Sequence, residues 1–152
     1  LQAIQPATLR IHPLSRLERG PDPAAPASAA DDSNPPPGAA LRIAVHLELL
    51  DRFEQGVKGL GRATIILRDA RDAGSPAHEP LTYVRDLSDP QANADAFDWV
   101  TRCYVIACGG LPEWAVDAAR KGRLRIDAAF SAVRPSGARD RLEATLTLPE
   151  QK

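Results

Sequence analysis

Along residues 41–50 apolar and polar positions alternate with a period of two. Leu41, Ile43, Val45, Leu47 and Leu49 fall on one side, and Arg42, His46 and Glu48 on the other. This is the pattern of a strand with one face on a core and one toward water. A polar stretch punctuated by Gly56, Gly59 and Gly61 follows, then a second β-rich run at 62–68, RATIILR. Strand signals recur at 81–87 (LTYVRDL), 99–107 (WVTRCYVIA), 123–133 (RLRIDAAFSAV) and 141–148 (RLEATLTL). The last two flank RPSGARD, whose Pro-Ser-Gly predicts a turn and therefore a hairpin. A shorter run at 8–12 lies between Pro6 and Pro13, which suits a first or edge strand because proline cannot donate to a ladder. About seven short strands with polar connections predict an all-β, antiparallel sandwich rather than a parallel α/β sheet.

Two helical pieces interrupt the strands. Asp89 supplies an N-cap and Pro90 a first helical residue ahead of QANADAF. Residues 112–121, PEWAVDAARK, open on Pro112 and carry Glu113 at the positive end of the dipole, with Arg120 and Lys121 at the negative end. Gly122 follows as the stop. Both read as short connectors, with Trp114, Val116 and Ala118 covering an open end of the sandwich.

Three regions are expected. Residues 1–17 form an N-terminal strand or arm, 18–40 a flexible linker, and 41–150 the sandwich domain. The linker follows from composition: Pro, Ala, Asp and Ser dominate there and large apolar side chains are absent, so burial cannot offset the entropy of ordering it. The full length of 152 residues is enough for one domain with its own core. Net charge is −1, which gives no overall field toward nucleic acid or an anionic membrane. Arginine outnumbers lysine sixteen to three, a skew that a GC-rich bacterial genome produces. No run of 18 apolar residues marks a transmembrane helix. The chain starts at Leu1 and contains no methionine, so a processed mature protein or an excised fragment is expected, with a cleaved secretory or lipoprotein signal the preferred reading.

Chemistry-bearing residues are sparse. Asp86, Asp89, Asp95 and Asp98 lie close together in sequence with Ser88 and Asn93 between them, and oxygen donors on one loop are what calcium takes. Their spacing matches no dedicated calcium loop, and no other cofactor is expected. His12, His46 and His78 have no partner histidine at metal-binding spacing; His46, on the outward side of its strand, is expected to be solvent-exposed or paired across strands. Cys103 and Cys108 are five residues apart on one strand, a span of about 16 Å that no disulfide bridges. Their odd separation puts them on opposite faces, and buried free thiols are expected. Phosphate loops and nucleophile elbows are absent, and Gly56, Gly59 and Gly61 are read as turn glycines permitting positive φ. Phe53, Phe97, Trp99, Trp114 and Phe130 are read mostly as core or helix anchors. Catalysis has no visible constellation, so an enzyme is not expected.

The stretch ELLDRFEQGVKGLGRATIIL resembles bacterial immunoglobulin-like and carboxypeptidase-regulatory-like modules. In these a strand ends in Asp and a G-x-P-V-x-G turn leads into the next strand. Asp51, Gly56, Val57, Lys58 and Gly59 match, while no proline stands between Gly56 and Val57. The chain is also similar to uncharacterised cell-envelope lipoproteins with DLSDP-like segments, here residues 86–90. The resemblance implies an immunoglobulin-like sandwich that is secreted or anchored in the bacterial envelope and serves as a non-enzymatic structural or adhesive module. Its partners would be other envelope or surface proteins, or copies of itself, and not nucleic acid. The alternative expectation is a subunit of an extracellular assembly that donates its N-terminal strand to a neighbour, with Leu9, Ile11 and Leu14 as anchors.

Overall fold

A computed structural model describes residues 5–20, 40–72, 78–133 and 139–151. Among the described residues ten strands form two antiparallel sheets, and two short α-helices link them. The long strand β3 (Ala40–Leu50) organises the first sheet. Strands β1 (Thr8–Ile11) and β2 (Arg16–Gly20) pair end to end along one side of it. On its other side lie β4 (Gly56–Val57) and β8 (Cys103–Cys108), and β7 (Phe97–Asp98) pairs outside β8. The second sheet has the order β10 (Arg139–Thr147), β9 (Leu124–Val133), β5 (Gly61–Asp69), β6 (Leu81–Asp86). Strand β1 lies against β10, which brings the two sheets together along that side.

The core sits between the sheets. Ile43, Val45, Leu47 and Leu49 from β3 meet Ile65 and Leu67 from β5 and Ile126 and Phe130 from β9. Burying such side chains contributes about 1.5–3 kcal/mol each, which is why alternation selects the paired faces. Helix α1 (Pro90–Ala96) carries β6 over to β7, capped by the Asp89 carboxylate accepting from the Ala92 N–H. Helix α2 (Glu113–Arg120) carries β8 over to β9 and turns Ala115, Ala118 and Ala119 into the core. Its stop is Gly122, at φ +70°, as the sequence implies.

The all-β expectation is met, with three short strands added to those legible in the sequence: β2, β4 and β7. Strand β2 includes Glu18, Arg19 and Gly20, the first residues of the expected linker. The linker's last residue, Ala40, opens β3, while residues 21–39, and residues 134–138 of the predicted β9–β10 turn, lie outside the described residues. The strand expected at 99–107 starts only at Cys103. Residues 99–102 instead form a turn, because the Asp98 carboxylate binds its backbone and Arg102 takes φ +58°.

Two further corrections concern β3 and the glycines. Residues Ile43 to Leu47 are buried on both faces of β3, so His46 is 7% exposed rather than at the surface. The cause is a bulge in the paired N-terminal segment. Ile11 stands opposite Leu47 and Arg16 opposite Ala44, so residues 12–15 face only Val45 and His46. The ladder is kept by substitution: the His12 N–H donates to the His46 carbonyl at 2.8 Å, and the His46 N–H donates to Ser15 Oγ at 2.9 Å. Gly56, Gly59 and Gly61 do not adopt positive φ; in that region it is Glu54 that does, at +62°. Glycine is required at 61 for space, since a Cβ there would stand 2.3 Å from the Ser131 carbonyl oxygen.

Candidate functional site

The end of the first sheet where β3 finishes carries two hairpin turns. Residues 51–55 join β3 to β4, and residues 99–102 join β7 to β8, which runs antiparallel to β3. Four of the six large apolar side chains most exposed among the described residues lie here: Phe53, Leu60, Trp99 and Val100. Val100 is 92% exposed and Trp99 69%. Phe53 and Trp99 are therefore not the core anchors their residue type suggests, whereas Phe130 is.

Each turn is braced by an aspartate at its N-terminal end. The buried Asp51 accepts the N–H groups of Phe53 and Gln55 on one oxygen, at 2.8 and 3.0 Å. Asp98 accepts the Val100 N–H at 2.9 Å and the Thr101 hydroxyl at 3.0 Å. These donors, the Val100 N–H foremost, hold the Asp98 carboxyl below its usual range. Each turn also pairs an aromatic ring with a cation. The Arg52 guanidinium lies 4.7 Å from the Phe53 ring centre, and Lys58 Nζ lies 4.3 Å from the Trp99 ring and 4.6 Å from Phe97. Phe97 meets Trp99 and Tyr104 edge to face, both at 5.1 Å.

A buried polar knot anchors this end. Asn93, 4% exposed on α1, donates to the carbonyls of Gly59 at 2.7 Å and Leu87 at 3.0 Å. Its side-chain oxygen accepts from the Tyr104 hydroxyl at 3.0 Å, and that hydroxyl in turn accepts the Gly59 N–H at 3.1 Å. Burial pushes the Tyr104 phenol above its usual range, so it stays neutral. The knot ties α1, β8 and the β4–β5 connection together, and so fixes the stem from which Lys58 and Leu60 project.

The four aspartates singled out for calcium are not gathered. Asp86 accepts from the Ser88 backbone and hydroxyl, and Asp89 caps α1. Asp95 accepts from the Gln91 amide, and Asp98 braces its turn. Among the described residues no group of three or more His, Cys, Asp or Glu side chains is placed to hold a metal ion. The anchors proposed for strand donation lie as follows: Leu9 and Ile11 are buried in this chain's own core, and Leu14 is 40% exposed in the bulge. Both cysteines are free and buried on opposite faces of β8. Burial raises both thiols, Cys108 up to about 12, and so disfavours the nucleophilic thiolate in each.

In the sequence Asn93 stands only as a neighbour of the candidate calcium donors, and no pattern marks Tyr104. The available signal was a lone asparagine inside a short capped helix, too common to single out. The exposed tips were missed because a Trp-Val pair next to a β-rich run reads as strand.

The site thus belongs to an all-β, two-sheet antiparallel sandwich with an apolar, cation-flanked pair of turns at one end. Compared with known protein families, with curated proteins and with solved structures, the chain matches none. No helix among the described residues is long and apolar enough to cross a membrane.

Proposed function

We propose that this chain is a non-enzymatic β-sandwich module of the bacterial cell envelope, immunoglobulin-like in kinship, secreted or lipid-anchored, that works by surface contact as a structural or adhesive protein. The observation that carries the reading is the gathering of exposed apolar side chains on two braced turns at one end of the sandwich. Apolar surface held out in water by a preorganised turn is an interaction feature, because disorder does not blunt its cost and contact recovers it. The ionisable groups support the same reading. Asp51, Asp89 and Asp98 are spent on turns and a cap, His46 is buried, and both thiols are raised.

The strand-donor alternative draws less support. Strands β1 and β2 already fill the edge of β3, and removing them would take Leu9 and Ile11 out of their own core. The test of the leading reading is expression of the full gene in a bacterial host with an epitope tag at the C-terminus. Antibody labelling of intact cells is the expected result; a tag found only after lysis, in the cytosolic fraction, sinks the proposal.

A further inference from the structure

We infer that the two braced turns at the end of the first sheet form a docking surface for a phospholipid bilayer, with Phe53, Trp99 and Val100 entering the interface and Arg52, Lys58 and Arg102 meeting lipid phosphates. The inference stands on the two turns alone and does not depend on the envelope assignment.

Three observations choose this occupant. The first is shape. The apices are narrow, convex hairpin tips: Trp99 and Val100 sit in a four-residue loop between Asp98 and Cys103, and Phe53 in a five-residue loop between β3 and β4. A rigid protein partner would need a matching concavity, whereas a fluid bilayer closes around a convex apolar tip without one. The second is the placement of charge. Arg52, Lys58 and Arg102 are exposed, and none is held in an ion pair among the described residues. The carboxylates of Asp51 and Asp98 are turned back into their own loops, which leaves Glu54 as the exposed carboxylate on the two turns. Cations ringing an apolar apex complement a phosphate layer over hydrocarbon. The third is the state of the rings. Lys58 covers a face of Trp99, which removes that face from stacking on a sugar while leaving the indole edge and Val100 free to enter. Tryptophan, with an apolar body and one polar N–H, partitions to the headgroup level of bilayers.

Asp86 ends β6, Asp89 caps α1 and Asp95 lies within α1, so none of the three is on the two turns, and the whole chain is close to neutral. Binding is therefore expected to be driven by the apolar apices and moderately strengthened by anionic lipid.

The test is co-sedimentation of the full chain with large unilamellar vesicles of phosphatidylcholine alone and of phosphatidylcholine with phosphatidylglycerol. Wild type is expected to sediment with both and more strongly with the second, and the double variant Trp99→Ser/Val100→Ser to partition at least tenfold less. Val100→Ser alone disturbs no packing, since the side chain is almost wholly exposed, and Phe53→Ser probes the second turn separately; each is expected to weaken binding several-fold with an unchanged thermal midpoint. In a Trp114→Phe background the Trp99 emission should shift to the blue on adding vesicles. No sedimentation with either vesicle overturns the inference. So does binding that survives the double variant, which would place the contact elsewhere. Self-association without vesicles that the double variant abolishes overturns it too, by assigning the turns to a second copy of the chain.

Discussion

Ser15 Oγ stands 2.9 Å from the backbone nitrogen of His46 and takes the place of a main-chain carbonyl in the ladder between the N-terminal segment and β3. The bulge at residues 12–15 removes the backbone acceptor that regular pairing would offer, and a side chain 2% exposed supplies it instead. A buried N–H without an acceptor costs about 1–3 kcal/mol. Ser15→Ala is therefore expected to destabilise the protein by about that amount, read as a lower urea midpoint at unchanged slope. Ser15→Thr, which keeps the hydroxyl, should recover most of the loss.

The His46 ring above this bond has a further consequence. Its Nδ1 is buried with no partner among the described residues, and burial, with Arg16 and then His12 adding to it, lowers the imidazole below 6.5 against the opposing pull of Glu18 and Asp98. The unfolded chain thus takes up a proton that the folded chain resists. The contribution is fully present above about pH 6.5 and is lost as pH falls from there toward the folded value. The thermal midpoint should drop between pH 7.5 and 5.5 in wild type and much less in His46→Gln. The carboxylates held low, Asp69 and Asp98 among them, weaken the fold only below about pH 3.8, so the two windows are separate.

Asn93 and Tyr104 act as one unit. Asn93→Ala leaves the Gly59 and Leu87 carbonyls and the Tyr104 hydroxyl short of partners and is expected to cost about 2–3 kcal/mol. Tyr104→Phe should cost less. A double-mutant cycle by chemical denaturation should return a coupling of about 0.5–3 kcal/mol; strict additivity would show that the two side chains are independent.

Gly61→Ala and Gly56→Ala should separate sharply. A Cβ at 61 meets the Ser131 carbonyl, so β5 and β9 must part, at a cost of about 3 kcal/mol. At 56 the same Cβ meets nothing among the described residues within 4 Å, and alanine there should be neutral or stabilising by up to about 1 kcal/mol through the unfolded state. Equal effects in a melting assay would contradict the packing between β5 and β9.

Neither thiol should react with Ellman's reagent in the native state. Both are buried and raised, and they point to opposite faces of β8. Both should react on unfolding in guanidinium. A native thiol that reacts rapidly would show that β8 opens.

Much of this architecture was legible from local pattern. Alternation along β3, β5, β9 and β10 reports which face is buried, and Asp89-Pro90 and Gly122 mark helix ends through their own backbone preferences. Such signals are local, and the residues that carry them need no knowledge of their neighbours. Strands β4 and β7, two residues each, carry no periodicity to read, and β2 hid at the head of a segment whose composition spoke for a linker.

The chain by itself determined its class, because period-two burial and turn chemistry are properties of consecutive residues. Only the tertiary structure decided the rest. It put His46 inside, because a bulge one segment away lays residues 12–15 opposite it. It spread Asp86, Asp89, Asp95 and Asp98 over separate local bonds, because Asp86, Asp89 and Asp98 each accept a nearby backbone N–H and Asp95 accepts the Gln91 side-chain amide. And it brought Phe53, Lys58, Trp99 and Val100 to one end, because the antiparallel register of β3 and β8 sets their turns side by side. Proximity of that kind is set by strand pairing across more than forty residues, a distance over which no local pattern carries information.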